Sequence, residues 1–306
     1  MRPAASSGGV SMLSIRAHYH DRLGQRAGDG DESADLQEVR MVRGLNCGSI
    51  GRMAVDLRVD WWSESVLALT IDRPRRRNPL DHELLSALAA QLETNGLRAG
   101  AIVLRGAGGL AFSAGFDLDQ LQGTEADIDA DQSIGKAVDA IMTCPVPVLS
   151  MIQGHCHGAG VELALSCDLR IAADDLQLSL RAVSLGVVYR FQLISRLVEM
   201  AGLGRAADLL LAMPVLGASE ALAWGLVTQV VPAADIDART REMAEMLAAS
   251  PRSAVEGTKA SLVMAARRTA SEDALEQSRG WRRRAITSAE RRSALEAAKK
   301  RLGRSV

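Results

Sequence analysis

Aromatic side chains are scarce in this chain, with three Phe, two Tyr and four Trp among 306 residues. Any core must therefore be aliphatic, and the frequent alanine, leucine and arginine favour helices packed by such side chains. An excess of one charge is also lacking. Thirty-six basic residues stand against 37 acidic ones, a formal net charge of -1, which argues against a global nucleic-acid or membrane field but leaves room for a local basic patch. The four cysteines, Cys47, Cys144, Cys156 and Cys167, form no CxxC pair and no framework spacing, so reduced thiols of a cytosolic protein are expected. No apolar run reaches the ~18 residues of a membrane span. The opening MRPAASSGGVSMLSIR carries the arginine and serine of a transit peptide, but Asp21, Asp29, Asp31, Glu32 and Asp35 follow closely and argue against import. A soluble, cytoplasmic chain is expected.

What is present suffices for one large domain, or one domain with a helical appendage, since 47% of the residues are hydrophobic. Residues 1–52 lack sustained periodicity and are rich in Gly, Ser, Arg and Asp, the composition of a poorly ordered extension. From there an α/β rhythm begins. Val66–Ile71 reads as a buried strand, and Asp81 caps a helix whose Leu84, Leu85, Leu88, Ala89 and Leu92 fall at helical spacing. Further strands are expected at Ala101–Arg105, Pro147–Ile152 and Leu169–Ala173, with helices at Ile134–Met142 and Ala159–Ser166. Such alternation implies right-handed crossovers and mostly parallel pairing. The domain reading is a core over 53–200 followed by an all-helical region over 201–306.

Two glycine turns and one carboxylate carry the chemistry. AFSAGFDL (Ala111–Leu118) follows the strand at Ala101–Arg105, and GHCHGAGVELALSCDLRIAA (Gly154–Ala173) follows the strand at Pro147–Ile152. Open α/β sheets place ligands at the carboxyl ends of such strands. Glycine allows backbone N–H groups to approach a ligand with no Cβ in the way. Gly115 would free the amide of Phe116, and Gly158 with Gly160 that of Ala159, which also gains from the helix dipole. Two such donors on one oxygen form an oxyanion hole, and Glu162, three residues after Ala159, shares its helical face. A carboxylate there can move a proton at the carbon beside the carbonyl.

These segments, with IDRPRRRNPLD, LGVVY and ASEALAWGLVTQVV, resemble the crotonase superfamily, the enoyl-CoA hydratase and isomerase group, from about Asp56 to Ala266. The resemblance implies a crotonase-like α/β core of repeated ββα units with a helical C-terminal region that assembles homotrimers or hexamers. It implies an acyl-CoA thioester as substrate, with its oxygen between the amides of Phe116 and Ala159 and Glu162 as acid/base. It places Ala114, Phe116, Asp117, Leu118, Gly158 and Ala159 along the CoA path, with Arg75 and Arg77 where relatives contact CoA; guanidinium groups suit its phosphates. No metal and no cofactor beyond the substrate's own coenzyme A is expected, nor a nucleic-acid or membrane partner.

The chain also departs from the pattern. Hydratases of the family use a second glutamate about twenty residues after the first; in LRAVSLG that position is Ala182. Tyr189 stands at an offset where the methylmalonyl-CoA decarboxylase branch carries a tyrosine facing the reacting group, although that branch has histidine where Phe116 stands. Three readings follow: a hydratase or isomerase working through Glu162, a decarboxylase working through Tyr189, and a catalytically silent acyl-CoA-binding homologue. His155-Cys156-His157 suggests a metal cluster but offers no third ligand. Gly158-Ala159-Gly160 lacks the third glycine of a dinucleotide fingerprint, which is Leu163 here. The basic stretch Arg282–Arg284, Arg291, Arg292 and Lys299–Arg301 reads as a solvated helix face.

Overall fold

The computed structural model describes residues 51–52, 56–124 and 127–266, together with 285–301 and the isolated positions 276, 279, 280, 283 and 303. The expected N-terminal extension lies outside the described residues up to position 50. Its last two residues, Gly51–Arg52 (β1), pair antiparallel with Leu57–Trp61 (β2), so the sheet begins earlier than expected.

The larger sheet has seven strands. After β1 and β2 come Val66–Ile71 (β3) and Ala101–Gly106 (β4), then Val148–Ile152 (β6), Leu169–Ala173 (β8) and Gln229–Val231 (β11). β2 joins β3 antiparallel, and every later pairing is parallel. All six residues of β3 are buried, as expected of a strand covered on both faces. Alternation divides the inward side chains. Leu67, Leu69, Ile71, Ile102, Leu104, Val148 and Ile152 face a core shared with Leu84, Leu85, Leu88 and Leu92 of α1 (His82–Asn95). Val66, Ala101, Val103, Leu149, Met151 and Ile171 face the other side, under Ile236 and Ala244 of α7 (Ile236–Ala248).

A second, four-stranded sheet sets the site. Ala111–Ser113 (β5), His155–His157 (β7) and Gln177–Ser179 (β9) pair in parallel, and Leu216–Gly217 (β10) closes the edge antiparallel. Each of β4, β6 and β8 is followed by one of these short strands. The first two pairs then lead into helices α2 (Asp127–Thr143) and α3 (Ala159–Ser166), giving the ββα repeat. The glycine turns therefore leave the ends of β5 and β7, not those of the long strands as the sequence suggests. The three-residue strands between are too short to show periodicity.

Beyond the core come α4 (Phe191–Ala201), α5 (Leu203–Ala207), a π-helical turn at Asp208–Ala212, α6 (Ala218–Ala223), α7, α8 (Arg252–Ala266) and α9 (Ala289–Arg301). The region expected to be all-helical thus also supplies two short strands, β10 and β11, and β11 extends the main sheet beside β8. Lys259 of α8 is buried, donating to the carbonyls of Ile141 and Val146 and pairing with Asp168 at 2.8 Å. No helix of the described residues is long and apolar enough to cross a membrane.

Candidate active site

The loop after β5 is strapped by the segment before α1. Ala114 N donates to the carbonyl of Arg77, Leu80 N to Gly115 O, and Asp117 N to Leu80 O. Gly115 N donates to Ser113 Oγ. Of the amides from 114 to 117, only that of Phe116 takes part in none of these bonds. At the other loop Gly158 N donates to Ser179 O, while Val161 N and Glu162 N turn back to Gly158 O. The Ala159 amide is thereby left as an unengaged donor in the first turn of α3, at the positive end of its dipole.

The glycines bring these loops together. Gly115 has φ +92, and a Cβ there would lie 2.8 Å from the His157 carbonyl oxygen and 3.5 Å from the Ala159 nitrogen. A Cβ on Gly160 would stand 2.8 Å from that of Ser113, so α3 packs directly on β5. At the far end of α3, Arg196 Nη1 donates to Leu165 O and Arg170 Nη1 to Cys167 O. These two guanidinium groups satisfy carbonyls at the negative end of the helix.

A cavity of about 420 Å³ opens over the two turns. Of the residues expected in the site, Ala114, Phe116, Leu118, Gly158, Ala159, Glu162 and Tyr189 all line it, as does Ala182, the wall position that lacks a carboxylate. Asp117 does not line it: its buried carboxylate caps the turn Leu118–Gln120 and pairs with Arg76 at 2.9 Å. Arg75 lines a neighbouring polar cleft with Asp81, Glu83 and Asp117. Arg77 is exposed, and its charge acts on His155 and His157. The arginines that do line the cavity are Arg181, Arg190, Arg291 and Arg301, none of which the sequence singled out for it.

Glu162 is buried, and burial pushes its carboxyl above the ordinary range, against the opposing pull of Arg190 and Arg196. Arg190 Nε stands 3.0 Å from Glu162 Oε1, with 9% and 5% of the two side chains exposed. The N–H is not aligned for a hydrogen bond, and both atoms remain without a hydrogen-bond partner. Burial raises the Tyr189 phenol too, with the Glu162 charge acting the same way. Its oxygen is close to the turn, 3.8 Å from where a Cβ on Gly158 would stand. His157, also on the cavity wall, shares a 2.9 Å hydrogen bond with Ser179 Oγ. Burial, His155, Arg181 and Arg77 lower it to about 4.

The C-terminal helix α9 closes one side. Arg291, read from sequence as part of a solvated face, is buried and pairs with Asp127 at 2.8 Å, both on the cavity wall. It also donates to Leu185 O, and Lys299 donates to Leu121 O. Helical spacing alone could not show this, because Asp127 lies 164 residues away.

Fold and site together define an α/β protein in which two backbone amides stand on a cavity wall beside a buried carboxylate. The enoyl-CoA hydratase/isomerase family model matches residues 62–302, and the chain belongs to that family. It is 36% identical over 185 residues, 60% of this chain and 74% of the relative, to the probable enoyl-CoA hydratase echA6 of Mycobacterium tuberculosis. Among solved structures it resembles an enoyl-CoA hydratase from Mycobacterium avium subsp. paratuberculosis, at 28% identity and TM-score 0.72, covering 80% of this chain and 96% of that one. It also resembles a methylmalonyl-CoA decarboxylase complexed with 2S-carboxypropyl-CoA, at 26% identity and TM-score 0.75, covering 82% and 97%.

Proposed function

We propose that the chain is an acyl-CoA thioester enzyme of the enoyl-CoA hydratase/isomerase type, with Glu162 as its acid/base. The observation that carries this reading is the pair of unengaged amides, Phe116 and Ala159, on the wall that also bears Glu162. The thioester oxygen accepts from both amides, and they strengthen as charge develops on it in the enolate, with ~3–4 kcal/mol a typical worth per donor. Glu162 takes or returns a proton at the adjacent carbon. Coenzyme A enters as part of the substrate. On the family resemblance we also propose a homotrimer or hexamer.

Glu162→Gln keeps shape and removes the base, so turnover should fall by ~100-fold or more with little change in acyl-CoA affinity. The assay is a panel of enoyl-, malonyl- and saturated acyl-CoAs followed by mass spectrometry, and an intact rate in the variant would refute the reading. Tyr189, half-buried beside the Gly158 turn, favours a second reading, decarboxylation. In that case Tyr189→Phe should cost more than Glu162→Gln, because loss of carbon dioxide needs enolate stabilisation more than a base. A protein that binds the thioesters and turns over none is the silent homologue.

A further inference from the structure

Arg190 is buried, with 9% of its side chain exposed, and stands on the cavity wall. Its Nε faces Glu162 Oε1 at 3.0 Å and is sealed there. The terminal nitrogens differ. Among the described residues neither Nη1 nor Nη2 donates to an acceptor, and neither is sealed as Nε is. A guanidinium held in this way keeps its two-pronged end for whatever fills the cavity. The fold makes room for that end: a Cβ on Gly135 of α2 would stand 2.0 Å from Arg190 Nη1. Glycine is unfavourable inside a helix, and here its missing side chain is the space the guanidinium occupies. The backbone of Arg190 is fixed as the N-cap of α4, with its carbonyl accepting from Leu193 N and Ile194 N.

The charges on the wall do not cancel. Glu162 is matched by Arg190 and Asp127 by Arg291. That leaves Arg181 and Arg301, also on the wall, with no carboxylate partner among the described residues. His157, lowered to about 4, adds no charge near neutral pH. A hydrocarbon acyl chain offers none of these groups an acceptor. A carboxylate does, because its two oxygens match the guanidinium fork, and a second cation on the wall offsets its repulsion from Glu162. Resting on the reading of the chain as an acyl-CoA enzyme with Glu162 at the reacting carbon, we propose that its substrates are thioesters whose acyl chain ends in a carboxylate. The Nη1–Nη2 fork of Arg190 binds that carboxylate, and Arg181 is the second cationic group. The phosphates of coenzyme A are the other source of negative charge. The contact of Arg190 with Glu162 sets its fork at the reacting end, with the acyl chain and not with the phosphates.

The test is calorimetric titration of the full chain with succinyl-, glutaryl- and adipyl-CoA. Each is compared with its neutral partner of equal length, butyryl-, pentanoyl- or hexanoyl-CoA, and with free coenzyme A. At one length or more the acid thioester should bind ~10-fold or more tightly than its neutral partner. Arg190→Gln and Arg181→Gln should each remove most of that preference. Arg190→Lys, which keeps the charge without the fork, should restore only part of it. Gly135→Ala leaves Arg190 in the sequence and favours the helix, yet drives the guanidinium out of its space, so it should reproduce Arg190→Gln in a folded protein. Arg181 is exposed, so its variant folds even where Arg190→Gln unsettles Glu162. Equal affinity within each pair at all three lengths overturns the inference and leaves the acyl-CoA reading standing. So does a preference that survives both Arg190→Gln and Arg181→Gln. A loss that falls equally on neutral thioesters and free coenzyme A also overturns it, because the arginines then serve the phosphates. If no thioester binds at all, the acyl-CoA reading falls and the inference falls with it.

Discussion

The buried pair Asp127–Arg291 allows a prediction about which half of an ion pair is indispensable. The two side chains are 3% and 2% exposed and 2.8 Å apart. Their remaining partners are unequal. Asp127 also accepts from the amides of Gln122 and Gly123, at 2.8 and 3.0 Å. Among the described residues, the Arg291 side chain has only Leu185 O besides, and its Nε has no hydrogen-bond partner. Arg291→Met therefore leaves a carboxylate still held by two N–H donors, a loss of about 1–3 kcal/mol. Asp127→Asn leaves a buried guanidinium without a counter-charge, for which about 3–5 kcal/mol is usual. The double variant should cost less than the sum of the two, because no stranded charge remains. Urea unfolding of the three variants measures these differences, with a constant slope confirming that the comparison is like for like. Acyl-CoA affinity should weaken in the same order, since α9 forms part of the cavity wall. If Arg291→Met proves more damaging than Asp127→Asn, or both cost less than about 1 kcal/mol, the asymmetry argued from the partners is refuted.

Two further outcomes are expected. Lys259→Met leaves the carbonyls of Ile141 and Val146 unpaired but Asp168 still bonded to Val148 N and partly exposed, so unfolding experiments should show a loss of about 3 kcal/mol, and a neutral change would contradict the clamp. Because His157 is lowered to about 4, its neutral form is the one the fold favours. The stability this gives is complete above the unfolded value near 6.5 and is lost as pH falls through about 4. Denaturation curves from pH 7 to pH 4 should drop more steeply for the wild type than for His157→Gln; parallel curves would exclude the effect.

The sequence exposed most of the long strands and the helices, because six buried residues in a row or a leucine stripe at helical spacing leave a clear trace. It also exposed the two glycine turns and Glu162, whose relation to Ala159 is local and set by helical geometry. The strands β5, β7 and β9 stayed invisible at three residues each, and β11 is no longer. Nothing adjacent in the chain marks Arg190: its place depends on a missing side chain at Gly135 of α2 and on a carboxylate from another helix. Arg291 reads as solvated for the same reason, since a basic residue in a basic stretch gives no sign of a distant acidic partner. Arg75 and Arg77 show the reverse case, an evident local cluster whose side chains do not line the cavity.

Gly115 lies against the peptide that joins His157 to Ala159, and that contact has a bearing on how such a site can change over generations. The two donors belong to the main chain, and at Gly115 the two loops meet backbone against backbone. On the proposed function, the part of the apparatus that stabilises charge is backbone, and it is inherited separately from the side chains that choose the reaction. A lineage built this way can exchange its proton-handling residues one at a time, passing through intermediates that still grip the thioester.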